Sequence, residues 1–301
     1  MASFMHRPRI RIGLVAAATA GGAVLFLEVA HPARLIGSLG ALPVSAAASA
    51  VGATMAGVML VAVRWRTLLG ARGIEAPTSR LFASLTIGSA VNNVLPARAG
   101  DAVRVESAHR HTGASRLAIA GSLVTERIFD AFVLAVLVVV GALCASAQGR
   151  FLWLGIAVGC AVLVAALVLV RLGQRLPASV AAGALATTFA IWFADVVMYG
   201  ELARGFHLQL SFGALLLLVG AGNLALAIPG TAAGIGSFEL VTLAGAHGIG
   251  VGGASLAAFV LAVHAVIVLP TTATGLLLFA RRPLEIPRKG KEKGEPAASS
   301  P

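Results

Sequence analysis

Apolar residues run through this chain in long unbroken stretches, and a helix needs about 20 of them to cross ~30 Å of hydrocarbon. Such stretches lie at Ile10 to Leu27, Val44 to Val63, Leu117 to Ala145, Phe151 to Val170, Ser179 to Gly200, Leu210 to Ile228 and Ser255 to Ala280. Two further segments, Leu81 to Leu95 and Gly234 to Gly250, are shorter and interrupted by Gly, Asn or a nearby Pro. That pattern predicts re-entrant or discontinuous helices more than full spans. The expected fold class is all-α, a polytopic transmembrane helix bundle of about seven or eight spans with two broken or re-entrant segments. The first run follows Arg7, Arg9 and Arg11 as a signal peptide would, but the many spans after it favour an uncleaved helix.

Composition agrees. Of 301 residues, 58% are hydrophobic and 12% charged, about half the charge of a soluble domain. Cys144 and Cys160 lie in apolar runs and read as packing residues. The net charge of +11 sits mostly in connecting loops, leaving no soluble basic face for a nucleic acid. With a cytoplasmic N-terminus, 19 of the 23 Lys and Arg fall on the cytoplasmic side, including the tail. Arg34, Arg150 and Arg204 fall on the other, and Arg127 inside a span. Seven full spans would strand the basic tail outside, so Gly234 to Gly250 is expected to cross as an eighth, irregular helix. The domain reading is a cytoplasmic N-terminus (1–9), a membrane domain (10–282) and a disordered cytoplasmic tail (283–301) rich in Pro, Lys, Glu, Gly and Ser.

Two stretches echo each other: Asn92-Asn93-Val-Leu-Pro96-Ala-Arg98-Ala-Gly100-Asp101, and Asn223-Leu-Ala-Leu-Ala-Ile-Pro229-Gly230-Thr-Ala-Ala-Gly234-Ile-Gly236. An acid stands ten residues after each proline, Glu106 and Glu239, and a Gly-Ala-Ser triplet follows at Gly113 and at Gly253. In the next helix of the second copy, His264 falls near where the first has Glu126 and Arg127. Matched breaker-rich segments in two halves point to a transporter site near the midplane, because freed backbone groups are tolerated at depth only against protein or a water-filled cavity.

Charges inside apolar runs need partners, since each costs ~2.5 to 3.5 kcal/mol at a helix centre. Glu126, Arg127 and Asp130 share one run. Arg127 is three residues from Asp130 and able to pair with it, so a structural salt bridge, a lipid headgroup contact and a gating pair all remain open. Asp101 and Arg104 have the spacing of a local pair, which leaves Arg98 for an anion, and the arginine fork suits phosphate. Asp195, near Trp192 and Tyr199, is an isolated acid expected to take a proton or ion role or to pair with Arg127 or His264. Trp65 and Trp153 stand at span ends, as interface anchors do. Gly155-x-x-x-Gly159 reads as a packing face. His31, Arg34, His109 and His111 read as loop residues, and His109-x-His111 lacks the further ligands of a metal site. No P-loop, His-Glu-x-x-His or Gly-x-Ser-x-Gly motif occurs, so no enzyme, cofactor or metal is expected.

Trp65-Arg-Thr-Leu-Leu69, the segment Asn92 to Arg104, Glu126-Arg127-Ile-Phe-Asp130, and Pro229 to Glu239 together resemble the flippase-like membrane domain of the lysylphosphatidylglycerol synthase family. The resemblance runs from about Ile10 to Arg282, with four motifs in order. In that family the membrane domain can be fused to a soluble aminoacyl-transferase domain; none lies in this sequence, so the resemblance implies lipid translocation without aminoacylation. The chain departs from the family pattern at Ala232 or Ala233, where a proline is usual, and at His264, where an arginine is usual. A histidine there makes anion binding weaker or pH-dependent.

The leading expectation is a multi-pass inner-membrane protein that moves, or helps to move, an anionic lipid, either a phospholipid or a polyprenyl-phosphate-linked one. Pro96, Gly100, Pro229, Gly230, Gly234 and Gly236 would break two facing segments. Asn92, Asn93, Arg98, Arg104, Arg127 and His264 would meet the headgroup, with Asp101, Glu126, Asp130 and Glu239 beside them. The alternatives are an ion-coupled carrier of a small anion, and a non-transporting membrane partner of a glycosyltransferase or lipid-modifying enzyme.

Overall fold

The computed structural model of the chain describes residues 17, 19–26, 28, 37–94, 99–146, 149–171, 176–226, 232–253 and 255–281. Most of the first expected span, together with Arg98, Pro96, Pro229, Gly230, His31, Arg34 and the tail, lies outside them. The described residues form α-helices and one short 3-10 turn, with no strand among them. In chain order the helices are α1 (Val44–Gly70), α2 (Thr78–Val94), α3 (Ala99–Thr112), α4 (Arg116–Cys144), α5 (Gly149–Arg171), α6 (Ala178–Gly205), α7 (Phe212–Leu226), the 3-10 turn Ala232–Gly234, α8 (Ser237–Gly248) and α9 (Leu256–Arg281). A helical stretch at 19–26 precedes them, its Gly22 against Gly236.

Five helices are long and apolar enough to cross a membrane: α1, α4, α5 (over Gly149–Leu167), α6 and α9. Their outward residues are large and apolar, Trp153, Leu163, Phe193 and Leu276 among them, an arrangement stable only where the surrounding solvent is hydrocarbon. Local signals set the helix ends. Pro43 and Pro177 precede α1 and α6, Ser115 caps α4 by accepting the Ala118 N–H at 3.2 Å, and Gly113, at φ 69°, ends α3 in the left-handed region that favours glycine.

The remaining helices form two antiparallel hairpins. In the first, Ser84 meets Ser107 at 2.6 Å, Gly88 lies against Arg104, and the Gly100 N–H donates to the Asn92 Oδ1 at 2.7 Å. A methyl group on Gly100 would overlap the Gly88 carbonyl, so small residues let the α2 and α3 backbones meet. In the second, Gly222 faces Thr242 and Phe238, and Gly245 faces Leu218. The 15 residues of α7 and 12 of α8 rise only ~22 and ~18 Å, so neither crosses the ~30 Å of hydrocarbon. This corrects two expectations: Leu210 to Ile228 is not a full span, and Gly234 to Gly250 is not an eighth crossing. Both segments belong to a re-entrant hairpin that returns to the face it entered. The parity problem disappears with it, because the end of α9 then lies on the face that carries Arg72, Arg80, Arg110 and Arg116.

The hairpins enter from opposite faces. α1 and α6 run antiparallel in the largest helix–helix interface, with Gly57 against Ala194 and Gly205 against Ala46. The step from Val44 to Ala178 equals that from Thr78 to Phe212, so α1–α4 and α6–α9 are inverted copies. The copies interlock. Gly141 and Val138 of α4 pack on α7 of the second hairpin, and Gly275 of α9 packs on Thr86 and Ala90 of the first. The 3-10 turn ahead of α8 also touches α2, which brings the second hairpin against the first. Gly155 and Gly159 pack on α4 as expected, whereas Cys144 and Cys160 are exposed on their helices and not packed in the core.

Candidate functional site

Glu106 and Glu239 stand 133 residues apart, one residue off the 134-residue step of the helices, but their surroundings differ. Glu106 lies on the partly exposed face of α3 and binds Arg110 at 2.9 Å and Arg116 at 2.8 Å. Hydrogen bonds from Arg116 and then Arg110 hold its carboxyl down at about 2. His109 and His111 are in the last turn of α3 and not in a loop; each Nδ1 contacts a backbone carbonyl, of Ala114 and of Ser107.

Four charged side chains form a buried row that the sequence hides. Arg104 Nη2 binds Glu126 Oε2 at 2.9 Å, Arg64 Nη2 stands 3.9 Å from Glu126 Oε1, and the Arg64 fork donates to both Asp130 oxygens at 2.6 and 3.1 Å. Arg64 also donates to Thr188 Oγ1 at 2.8 Å, which ties α1 and α4 to α6. Arg104 lies 4.3 Å over the Trp65 ring, and Trp65 donates to Ser122 Oγ at 3.0 Å. Trp65 is fully buried, so it is not an interface anchor. The row holds two cations and two anions on α1, α3 and α4, and its Arg64 is 1% exposed. Sequence reading placed Arg64 among the loop arginines because it stands at the end of an apolar run; its helix continues six residues further. The expected Asp101–Arg104 and Arg127–Asp130 pairs do not form: each partner is engaged elsewhere.

At the tip of the first hairpin the groups are more open. Arg127 Nη2 reaches Asp101 Oδ1 at 3.4 Å, and the side chains are 50% and 29% exposed. Asn92 holds Asp101 Oδ1 at 3.5 Å and caps α3 through Gly100, while Asn93 donates to Thr272 Oγ1 of α9 at 2.8 Å. An arginine half-exposed within an apolar 29-residue helix, held by one long contact, keeps most of its donors for an anion.

The second tip is closed. Gly236 N–H donates to Glu239 Oε2 at 2.7 Å, His264 Nδ1 lies 2.5 Å from Glu239 Oε1, and His264 Nε2 lies 2.9 Å from the Ala233 carbonyl oxygen. Ala233, Gly234 and Gly236 take φ of 52°, 79° and 87°. Phe238 stacks on the imidazole with ring centroids 4.7 Å apart. Beside the pair lies an apolar cavity of about 290 Å³ walled by Ala23, Phe26, Ile235, Leu261 and Val268. Asp195 pairs with neither Arg127 nor His264; it is hydrogen-bonded to Asn223. Near it, Trp192 Nε1, Tyr199 OH and Thr242 Oγ1 are buried without a protein partner.

Two inverted copies of a long helix, a re-entrant hairpin and a second long helix define a multi-pass membrane protein. The lysylphosphatidylglycerol synthase TM region family matches residues 10–182 and 175–275, and the chain belongs to that family. The membership links it to lipid synthesis or translocation in a membrane. No curated protein matches the chain.

Proposed function

We propose that this protein translocates an anionic lipid across the cytoplasmic membrane, with both termini in the cytoplasm and without catalysing covalent chemistry. The observation that carries the reading is Arg127: a half-exposed guanidinium in an apolar helix, beside the tip of a broken hairpin, weakly held by Asp101. A phosphate displaces that single long contact and gains a bidentate one. Asp101 then serves as the counter-charge that takes Arg127 back when the headgroup leaves. Asn92 orients Asp101, and Arg98, in the sequence that links α2 to α3, is proposed as a second cation for the headgroup. Arg104, Glu126, Asp130 and Arg64 are assigned to a neutral structural row and not to the headgroup. The basic residues gathered on one face support a cytoplasmic position for that face.

The test is translocation of fluorescent phosphatidylglycerol and of a labelled polyprenyl phosphate in proteoliposomes. Arg127→Ala and Arg98→Ala should each slow movement at least tenfold at unchanged melting temperature. Wild-type rates in both variants sink the proposal. Movement of a small soluble anion in place of lipid, lost in the same variants, would reassign the tip to a soluble substrate.

A further inference from the structure

The hydrogen-bond geometry at the second tip fixes a proton count. A carbonyl oxygen only accepts, so the 2.9 Å contact to Ala233 requires hydrogen on His264 Nε2. Between Nδ1 and Glu239 Oε1, 2.5 Å apart, a proton must also lie, because without it two lone pairs face each other at that distance. The pair therefore holds one proton more than a neutral imidazole beside an ionised carboxylate. Removing it leaves a single ring hydrogen for two acceptors. If that hydrogen stays on Nε2, Glu239 is released; if it moves to Nδ1, the Ala233 carbonyl is released.

The geometry points to Glu239–His264 as a proton-binding site whose occupancy fastens the second hairpin to α9, making the proton the coupling ion of transport. Glu239 is the cap of α8, through Gly236, and Ala233 sits at φ 52°, a conformation a non-glycine residue holds only when tied. Each tie thus ends on the turn from Ala233 to Gly236 that leads into α8. The adjoining cavity of about 290 Å³ gives the freed turn a place to move.

Other charges do not supply the proton's role. On the elements packed against α9, the charged and titratable side chains besides Glu239 are Arg64 and Arg66 of α1, Arg80 of α2, Asp195, Tyr199, Glu201 and Arg204 of α6, and His247, exposed in the last turn of α8. Arg64 is held by Asp130, Arg66 by Thr78, Glu201 by Arg204, and Asp195 by Asn223; Arg80 lies in the first turn of α2. Among the described residues lining the cavity, Glu239 and His264 are the titratable ones. The inverted counterpart sharpens the contrast: α3 and α4 are joined by an arginine and a carboxylate, Arg104 and Glu126, whereas α8 and α9 are joined by a carboxylate and a histidine.

This inference rests on the lipid-translocation reading for its transport consequence but not for its proton. The full-length protein is reconstituted in phosphatidylcholine–phosphatidylglycerol vesicles, and fluorescent phosphatidylglycerol movement is compared with and without an imposed pH difference. Wild type should move lipid several-fold faster with the gradient, and that ratio should fall to unity in His264→Gln and in His264→Arg. The arginine variant has donors for both acceptors and releases no proton, so its melting temperature should not drop as the pH is raised, whereas that of wild type should. A gradient ratio of unity in wild type overturns the coupling. If no lipid moves in any protein, the lipid reading fails while the proton site is judged separately, by ¹⁵N resonances of labelled histidine and the carboxyl infrared band. A doubly protonated ring or a protonated carboxyl, lost in His264→Gln or Glu239→Gln, upholds the site; a neutral ring beside an ionised carboxylate overturns it.

Discussion

Replacing Arg64 with alanine removes the cation that the row can least spare. Asp130 loses both guanidinium bonds, at 2.6 and 3.1 Å, Glu126 loses its second cation, and Thr188 loses a donor. Breaking a buried ion pair from one side costs ~3–5 kcal/mol, because the surviving charge is left uncompensated. At roughly 2 °C per kcal/mol for a chain of this size, the melting temperature should fall by about 6–10 °C. Thermal unfolding of purified protein in a fixed detergent, followed by tryptophan fluorescence, measures it. The companion variant Arg64→Met with Asp130→Leu removes both charges and keeps the volume, and should recover most of the loss. If Arg64→Ala melts within about 2 °C of wild type, the row carries no net stabilisation and the side chains are hydrated where they stand. If the double variant is as unstable as the single one, the cost arises from lost packing against Thr188 and not from stranded charge.

Gly141→Val and Gly275→Val should each cost ~1–3 kcal/mol, since the added carbons meet Leu217 and Thr86 backbone atoms across the interlock; chemical denaturation reads the loss. The Glu106 carboxyl, held at about 2 by Arg116 and Arg110, contributes stability that is present above the unfolded carboxylate range and is lost as the pH falls from there through 2. Glu106→Gln should therefore flatten that acid limb of the melting curve, and high salt should do the same to wild type. With Cys144 and Cys160 replaced by alanine, single cysteines in place of Glu75 and Thr112 should label with an impermeant maleimide from one side only, and those in place of Ser211 and Gly252 from the other; labelling of either pair from both sides would abolish the re-entrant hairpins.

The long spans were legible because hydrophobic length is a direct physical requirement of hydrocarbon, so α1, α4, α5, α6 and α9 follow from the sequence alone. The hairpins were half legible. Gly and Asn marked Leu81 to Leu95 as broken, but α7 consists almost wholly of leucine, alanine and glycine and carries nothing that distinguishes a short buried helix from a crossing one. At the site, sequence neighbours suggested local pairs at three-residue spacing. The ion pairs that form instead join different helices, which spacing along one helix does not encode. Arg64 was missed for a related reason: a long side chain at the end of an apolar run reads as a headgroup anchor, and only the fold brings Asp130 and Glu126 to it. Glu239 and His264 were picked out by the echo, and their contact at 2.5 Å is the inter-helix pair the echo came closest to naming.

The crossed packing of the two copies bears on how the protein is made. α2 emerges from the ribosome well before α9, the helix that packs along it, and Asn93 finds Thr272 only once α9 has been made. Until that point the first hairpin, too short to span, has one flank without its mate. The half ending at α5 is thus not an autonomous folding unit, and its maturation waits for α9. The same topology lets two separately synthesised halves, cut in the α5–α6 loop, find each other, since each carries the helix that the other lacks.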